Sequence, residues 1–113
     1  MKLWEIYVPC EKPPHFPGKK RFFDKKFHRE WDKKVMAISN GLTILTPHKG
    51  SWVSPDGQRC NERVLPVRIA CSDEEIELII ALTAKHYGQK AIMAYLVSET
   101  VIIRDFVVKS ENS

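Results

Sequence analysis

Three residues of this 113-residue chain stand at a spacing that suits proton transfer: Asp24, His28 and Asp32. Steps of four place them on one side of a helix, where a carboxylate one turn from an imidazole fixes its tautomer and raises its basicity. His28 is then a candidate general acid or base, with Asp32 or Asp24 orienting it. The same row could hold a metal with one further ligand. No His-Glu-x-x-His or comparable pattern accompanies it, so no metal site is expected. The commoner meaning of such spacing is a solvated row of helix charges.

A second group suits an anionic, ring-bearing ligand. Residues 12–34 hold nine Lys and Arg against Asp24, Glu30 and Asp32, a net +6 in a chain of net +4. That local field attracts phosphates and acidic surfaces, with Lys20, Arg21, Lys25 and Arg29 as the expected contacts; the plainer alternative is a solvated helix face beside a basic loop. Lys49-Gly50-Ser51-Trp52 sets an indole beside a cation, which suits stacking on a base, or clamps a hairpin core. Arg68 alternates with Val67 and Ile69, and Tyr7 with Ile6 and Val8. Both are therefore expected on the sheet face turned away from any helices, where Tyr and Arg offer stacking area and charge. Arg104 is expected there too. Ile6-Tyr7-Val8 is similar to the short first-strand motif of one RNA-binding class, but the longer aromatic partner motif of that class is absent from residues 62–70. No Gly-rich phosphate loop or Gly-x-Ser-x-Gly elbow occurs, and no cofactor is expected.

The elements that must position these residues follow from periodicity. Residues 3–8 alternate, with Trp4, Ile6 and Val8 on one side and Glu5 and Tyr7 on the other, which predicts a half-buried strand. Phe23, Phe27, Trp31, Val35 and Ile38 fall at steps of three and four, predicting a helix over about 20–39. Residues 42–70 read as one long antiparallel hairpin, turned at Ser54-Pro55-Asp56-Gly57 and bent near 47–50. Ser72-Asp73-Glu74-Glu75 is a capping box opening a helix to about residue 87, with Ile76, Ile80, Thr83 and Tyr87 facing inward and Gly88 as its stop. Leu78 and Leu82 form an extra apolar stripe. Residues 91–97 predict a further strand, and 100–107 an additional C-terminal one. The order is βαββαβ, the ferredoxin-like α+β arrangement, in one domain spanning 1–113.

Hydrophobic content of 43% and charged content of 28% are globular values, so wholesale disorder is not expected. Cys10, Cys60 and Cys71 are odd in number and lack a Cys-x-x-Cys pair, which suits neither a disulfide framework nor zinc. Glu5 interrupts any apolar leader, and the longest apolar run is far short of a membrane span, so a cytoplasmic protein is expected.

Gly41-Leu42-Thr43-Ile44-Leu45, Gly50-Ser51-Trp52, Asp56-Gly57, Glu62 and Tyr87-Gly88-Gln89 make a spaced set over residues 41–95. The set resembles a bacterial family of small α+β domains that is functionally uncharacterised; the resemblance implies the fold and no activity. Three functions stand. The first is an oligomeric, non-catalytic module binding a phosphate-bearing ligand, a nucleotide-type small molecule or nucleic acid. The second is a small-substrate enzyme of dimeric ferredoxin-like type using His28. The third is a protein-binding inhibitor, such as a phage anti-defence protein.

Overall fold

The computed structural model describes residues 1–39, 41–53, 57 and 59–107, and at 48, 50, 52 and 59–62 the backbone alone. The elements run β1 (Lys2–Pro9), α1 (Lys25–Ser39), β2 (Thr43–Ile44), β3 (His48–Val53), β4 (Arg59–Cys71), α2 (Asp73–Tyr87) and β5 (Ala94–Ser98). The strands form one antiparallel sheet in the order β2–β4–β1–β5, with β3 on the outer half of β4. This is the expected ferredoxin-like α+β fold, both helices lying on one face.

Alternation along β1 and β4 decides what that face carries. Ile6 pairs with Val67 and Trp4 with Ile69, and Ile6, Val8, Val67, Ile69 and Cys71 are buried with Trp31 and Val35 of α1 and Ile76, Ile79 and Tyr87 of α2. The helices are joined through the core by a polar chain: Trp31 Nε1 donates to Thr83 Oγ1 at 2.9 Å, and Thr83 Oγ1 to the Ile79 carbonyl at 2.6 Å. The hydroxyl so satisfies an indole N–H that burial would otherwise strand. Ile79 is the fully buried residue of α2 where the sequence pointed to Ile80, which packs at the core margin; Leu82 also packs there, and Leu78 stays exposed.

The first helix begins at Lys25, not near Lys20. Asp24 Oδ1 accepts from Phe27 N at 2.8 Å, so this carboxylate ends the loop by capping the helix. Residues 11–22, which include Pro13, Pro14, Pro17 and Gly18, fold back on themselves instead. Lys12 N donates to Arg21 O at 2.8 Å, and Glu11 bridges to Phe22. Phe23 reaches the core from this loop and stacks on Phe27, centroids 5.0 Å apart.

The two arms of the long hairpin pair, the expected turn at Ser54-Pro55-Asp56 lying outside the described residues, and the bend has a chemical cause. Ile44 faces Val67, but His48 faces Val64, so the β2–β3 side holds one more residue than β4 across residues 45–47, as in a bulge. Leu45 N donates to Pro66 O at 2.9 Å. In an antiparallel ladder a residue's N and O point to the same neighbour, so Pro66 withholds an N–H on this side. Pro47 withholds another, and the ladder breaks where two donors are missing. The expected C-terminal strand does not form: residues 100–107 pair with no described strand.

Helix α2 shows both end signals. Ser72 and Glu75 exchange the two hydrogen bonds of the capping box, at 3.1 and 2.9 Å. Gly88 adopts φ 63°, and a Cβ there would sit 2.9 Å from Phe16 Cδ2. Gly88→Ala is expected to destabilise the fold by about 1–2 kcal/mol from the left-handed backbone alone, and further through displacement of Phe16. Urea denaturation checks this; an unchanged midpoint would contradict it.

Candidate functional site

The sheet face opposite the helices, hereafter the far face, carries Glu5 and Tyr7 of β1, Arg68 of β4 and Tyr95 of β5. Glu5 lies opposite Arg68 on one side and Tyr95 on the other. Because the backbone groups of Arg68 point to β2, the Glu5–Arg68 pair is of the narrow, non-hydrogen-bonded kind in which side chains stand close. Arg68 Nε donates to Glu5 Oε1 at 2.9 Å, and the Tyr95 hydroxyl donates to Glu5 Oε2. The Tyr7 and Tyr95 rings meet edge to face, centroids 5.9 Å apart.

Glu5 is 4% exposed although no helix packs on this face. Burying a carboxylate is costly unless it is paired and hydrogen-bonded; the guanidinium and the phenol supply those partners. The relation is mutual. The Glu5 carboxylate, then burial, hold the Tyr95 hydroxyl well above the ordinary phenol range, so it remains a donor across accessible pH. The Arg68 side chain is 43% exposed, so the pair has one dry and one wet end. The arrangement presents two phenol rings, an oriented carboxylate and a half-exposed cation within one patch. Such a patch stacks on a flat ring and recognises hydroxyl or anionic substituents.

The residues expected to hold a ligand fall into separate places. Tyr7 and Arg68 are together on the far face, as alternation required. Lys20, Arg21, Lys25 and Arg29 are exposed on the helix layer, the other side of the sheet. Arg21 is paired with Glu11 at 3.2 Å. Lys49 is on β3, cross-strand from Arg63, away from both groups. Trp52 pairs with Cys60 in the ladder; its side chain lies outside the described residues. Arg104 is in the unpaired segment rather than on a strand. Glu5 and Tyr95 complete the patch; the sequence places Glu5 on the side of Tyr7 without marking either Glu5 or Tyr95 as a ligand contact. The legible signal was a carboxylate between Trp4 and Ile6 on a strand whose next outward residue is tyrosine.

His28 occupies a different setting. Its Nδ1 meets the Tyr87 hydroxyl at 2.7 Å across the two helices. Burial lowers the His28 pKa, opposed by the Asp32 charge, and burial raises that of Asp32, opposed by His28. His86 is half-buried; its Nε2 donates to Phe27 O at 2.9 Å, and its Nδ1 accepts from Lys34 Nζ at 3.2 Å. With Asp24 engaged as a helix cap, the row reads first as a clamp between α1 and α2. Cys71 is a packed thiol, and burial pushes its pKa up to about 11. Among the described residues, no group of three or more His, Cys, Asp or Glu could hold a metal ion. No helix among them is long and apolar enough to cross a membrane.

No family model matches this chain, and no curated protein does. Solved structures do. The CutA1 protein of Pyrococcus horikoshii OT3, in a point-mutated form, aligns with TM-score 0.58 at 7% identity over 91% of this chain and 87% of that one. The periplasmic divalent cation tolerance protein CutA of Archaeoglobus fulgidus gives 0.56 at 9% identity over 93% and 86%. A phage SAM lyase in complex with S-methyl-5'-thioadenosine gives 0.52 at 14% identity over 96% and 89%. At these identities the likeness is one of fold.

Two outcomes follow from the pairings. A base whose folded pKa is lowered binds fewer protons folded than unfolded, so stability rises with pH and is lost as pH falls below about 6.5. Urea midpoints between pH 8 and 5 should fall in the native protein and fall less in His28→Gln; parallel curves would contradict the assignment. Arg68→Met should cost about 3 kcal/mol at pH 8, since it leaves Glu5 buried without its cation. An unchanged urea midpoint in this variant would contradict the pairing.

Proposed function

We propose that this protein is a self-associating binding module whose far sheet face takes a small molecule of nucleoside type, with Arg68 available to a phosphate or other anionic substituent. The observation that carries the reading is the buried Glu5 carboxylate held between Arg68 and Tyr95, beside the paired rings of Tyr7 and Tyr95. Glu5, buried and engaged at both oxygens, holds Arg68 and Tyr95 in place for a ligand rather than touching it, and tyrosine rings stack on any base without demanding its identity. The contact with Glu5 uses the Nε–H of Arg68, and a guanidinium carries five N–H donors. That the phage SAM lyase of similar fold binds S-methyl-5'-thioadenosine makes a nucleoside the first ligand class to test. The exposed cations Lys20, Lys25 and Arg29 act at a distance in this reading, raising the local concentration of an anionic ligand rather than touching it.

A catalytic reading has one specific support, that the same fold carries a lyase. For this chain it would run through His28, assisted by Asp32. The His28 Nδ1 is already engaged by Tyr87, so a substrate would meet Nε2.

Calorimetric titration with S-methyl-5'-thioadenosine, adenosine and ATP tests the proposal. At least one should bind, with Glu5→Gln and Tyr7→Ala each weakening it tenfold or more. A preference for ATP that fades with salt would mark the phosphate contribution. Absence of heat from all three at low salt would overturn the reading.

A further inference from the structure

Residues 101–107 form an extended run of strand-forming side chains with no ladder. Ile102, Ile103, Phe106 and Val107 are 68, 70, 81 and 98% exposed. Val, Ile and Phe favour strands because they pack on a pleated, half-buried surface, and here that surface is missing. Ser98 turns the chain just before: its Oγ donates to Thr100 O at 2.9 Å and accepts from Thr100 N at 3.2 Å. The turn does not return the segment to its own β5, which pairs with β1 alone among the described strands.

Among the described residues no element covers that edge of β5, and its one irregularity is a register shift opposite Leu3 and Trp4. Sheet edges are ordinarily blunted by Lys, Pro, bulges or a covering element. The opposite edge of this sheet obeys the rule, with a two-residue β2, a break at Pro47 and the Lys49–Arg63 pair of like charges. The β5 sequence Ala-Tyr-Leu-Val-Ser has neither charge nor proline, and Tyr95 and Val97 remain 38 and 37% exposed. Pairing of Tyr95 with Glu5 turns the backbone groups of Ala94 and Leu96 outward.

We infer that residues 101–107 of one copy add as a strand to the free β5 edge of a second copy, reciprocally, so that two copies close on each other. Alternation places Ile102 and Phe106 on one side of the added strand and Ile103 and Val107 on the other. Apolar side chains thus meet both Tyr95–Val97 and Leu96. The inference rests on the self-association proposed above and names the elements that perform it.

The test combines sedimentation equilibrium with amide hydrogen exchange on the full chain. Native protein should sediment as a dimer or a multiple of it, with the amides of Leu96 and residues 101–107 protected. Ile103→Asp with Phe106→Asp should give a monomer whose far-ultraviolet circular dichroism matches the native protein. Free exchange of 101–107 in a native assembly would overturn the inference while leaving self-association intact, and does not depend on the variant folding. A variant that keeps the native mass would do the same. Native protein that is monomeric at all concentrations would overturn both.

Discussion

Two helices of fifteen residues each can dry only one face of a five-stranded sheet, and the rest of this structure answers to that limit. The helix face is closed in the ordinary way, with branched aliphatics from β1 and β4 against Trp31, Val35, Ile79 and Tyr87. The far face has no helix, yet Glu5 is nearly as buried as the core. Its dryness comes from its neighbours on adjacent strands, a guanidinium and two phenol rings, rather than from a second layer.

A buried ion pair is weak evidence for stability, because apolar residues of equal volume often serve as well or better. The polar content of the far face is therefore better explained by what it presents than by what it holds together. Glu5 orients the Tyr95 hydroxyl and the Arg68 guanidinium at once, fixing three polar groups relative to one another at small entropic cost. Preorganised groups of this kind are what a ligand site requires. The His28–Tyr87 contact contrasts with it. That contact ties α1 to α2 inside the helix layer, beside the aromatic cluster of Phe23, Phe27 and His86.

The separation of the cationic segment from the aromatic sheet face is also a consequence of layering. A ββ or βα connection can bring any two loops together at an end of the sheet, but a helix that buries Trp31 and Val35 against one face must direct its lysines away from the other. Charge in residues 12–34 therefore acts on the far-face patch through the field of the whole molecule. Contact between the two would require a second copy.

Local pattern in the sequence determined a good deal. Period-two alternation fixed which side of β1 and β4 faces the helices, hence that Tyr7 and Arg68 share the far face. The capping box at Ser72 and the stop at Gly88 bounded α2, because such signals are satisfied by neighbouring backbone groups and need no tertiary partner. Tertiary structure alone decided what depends on distant partners. Asp24 became a helix cap because the loop before it folds back through Lys12 and Arg21. The hairpin broke at residues 45–47 because Pro66, on the facing strand, lacks a donor. Glu5 acquired its role only when strand order set it between Arg68 and Tyr95, 63 and 90 residues away. Residues 100–107 carry a strand's composition without its ladder, since a strand is completed by a neighbour and no single sequence states where that neighbour comes from.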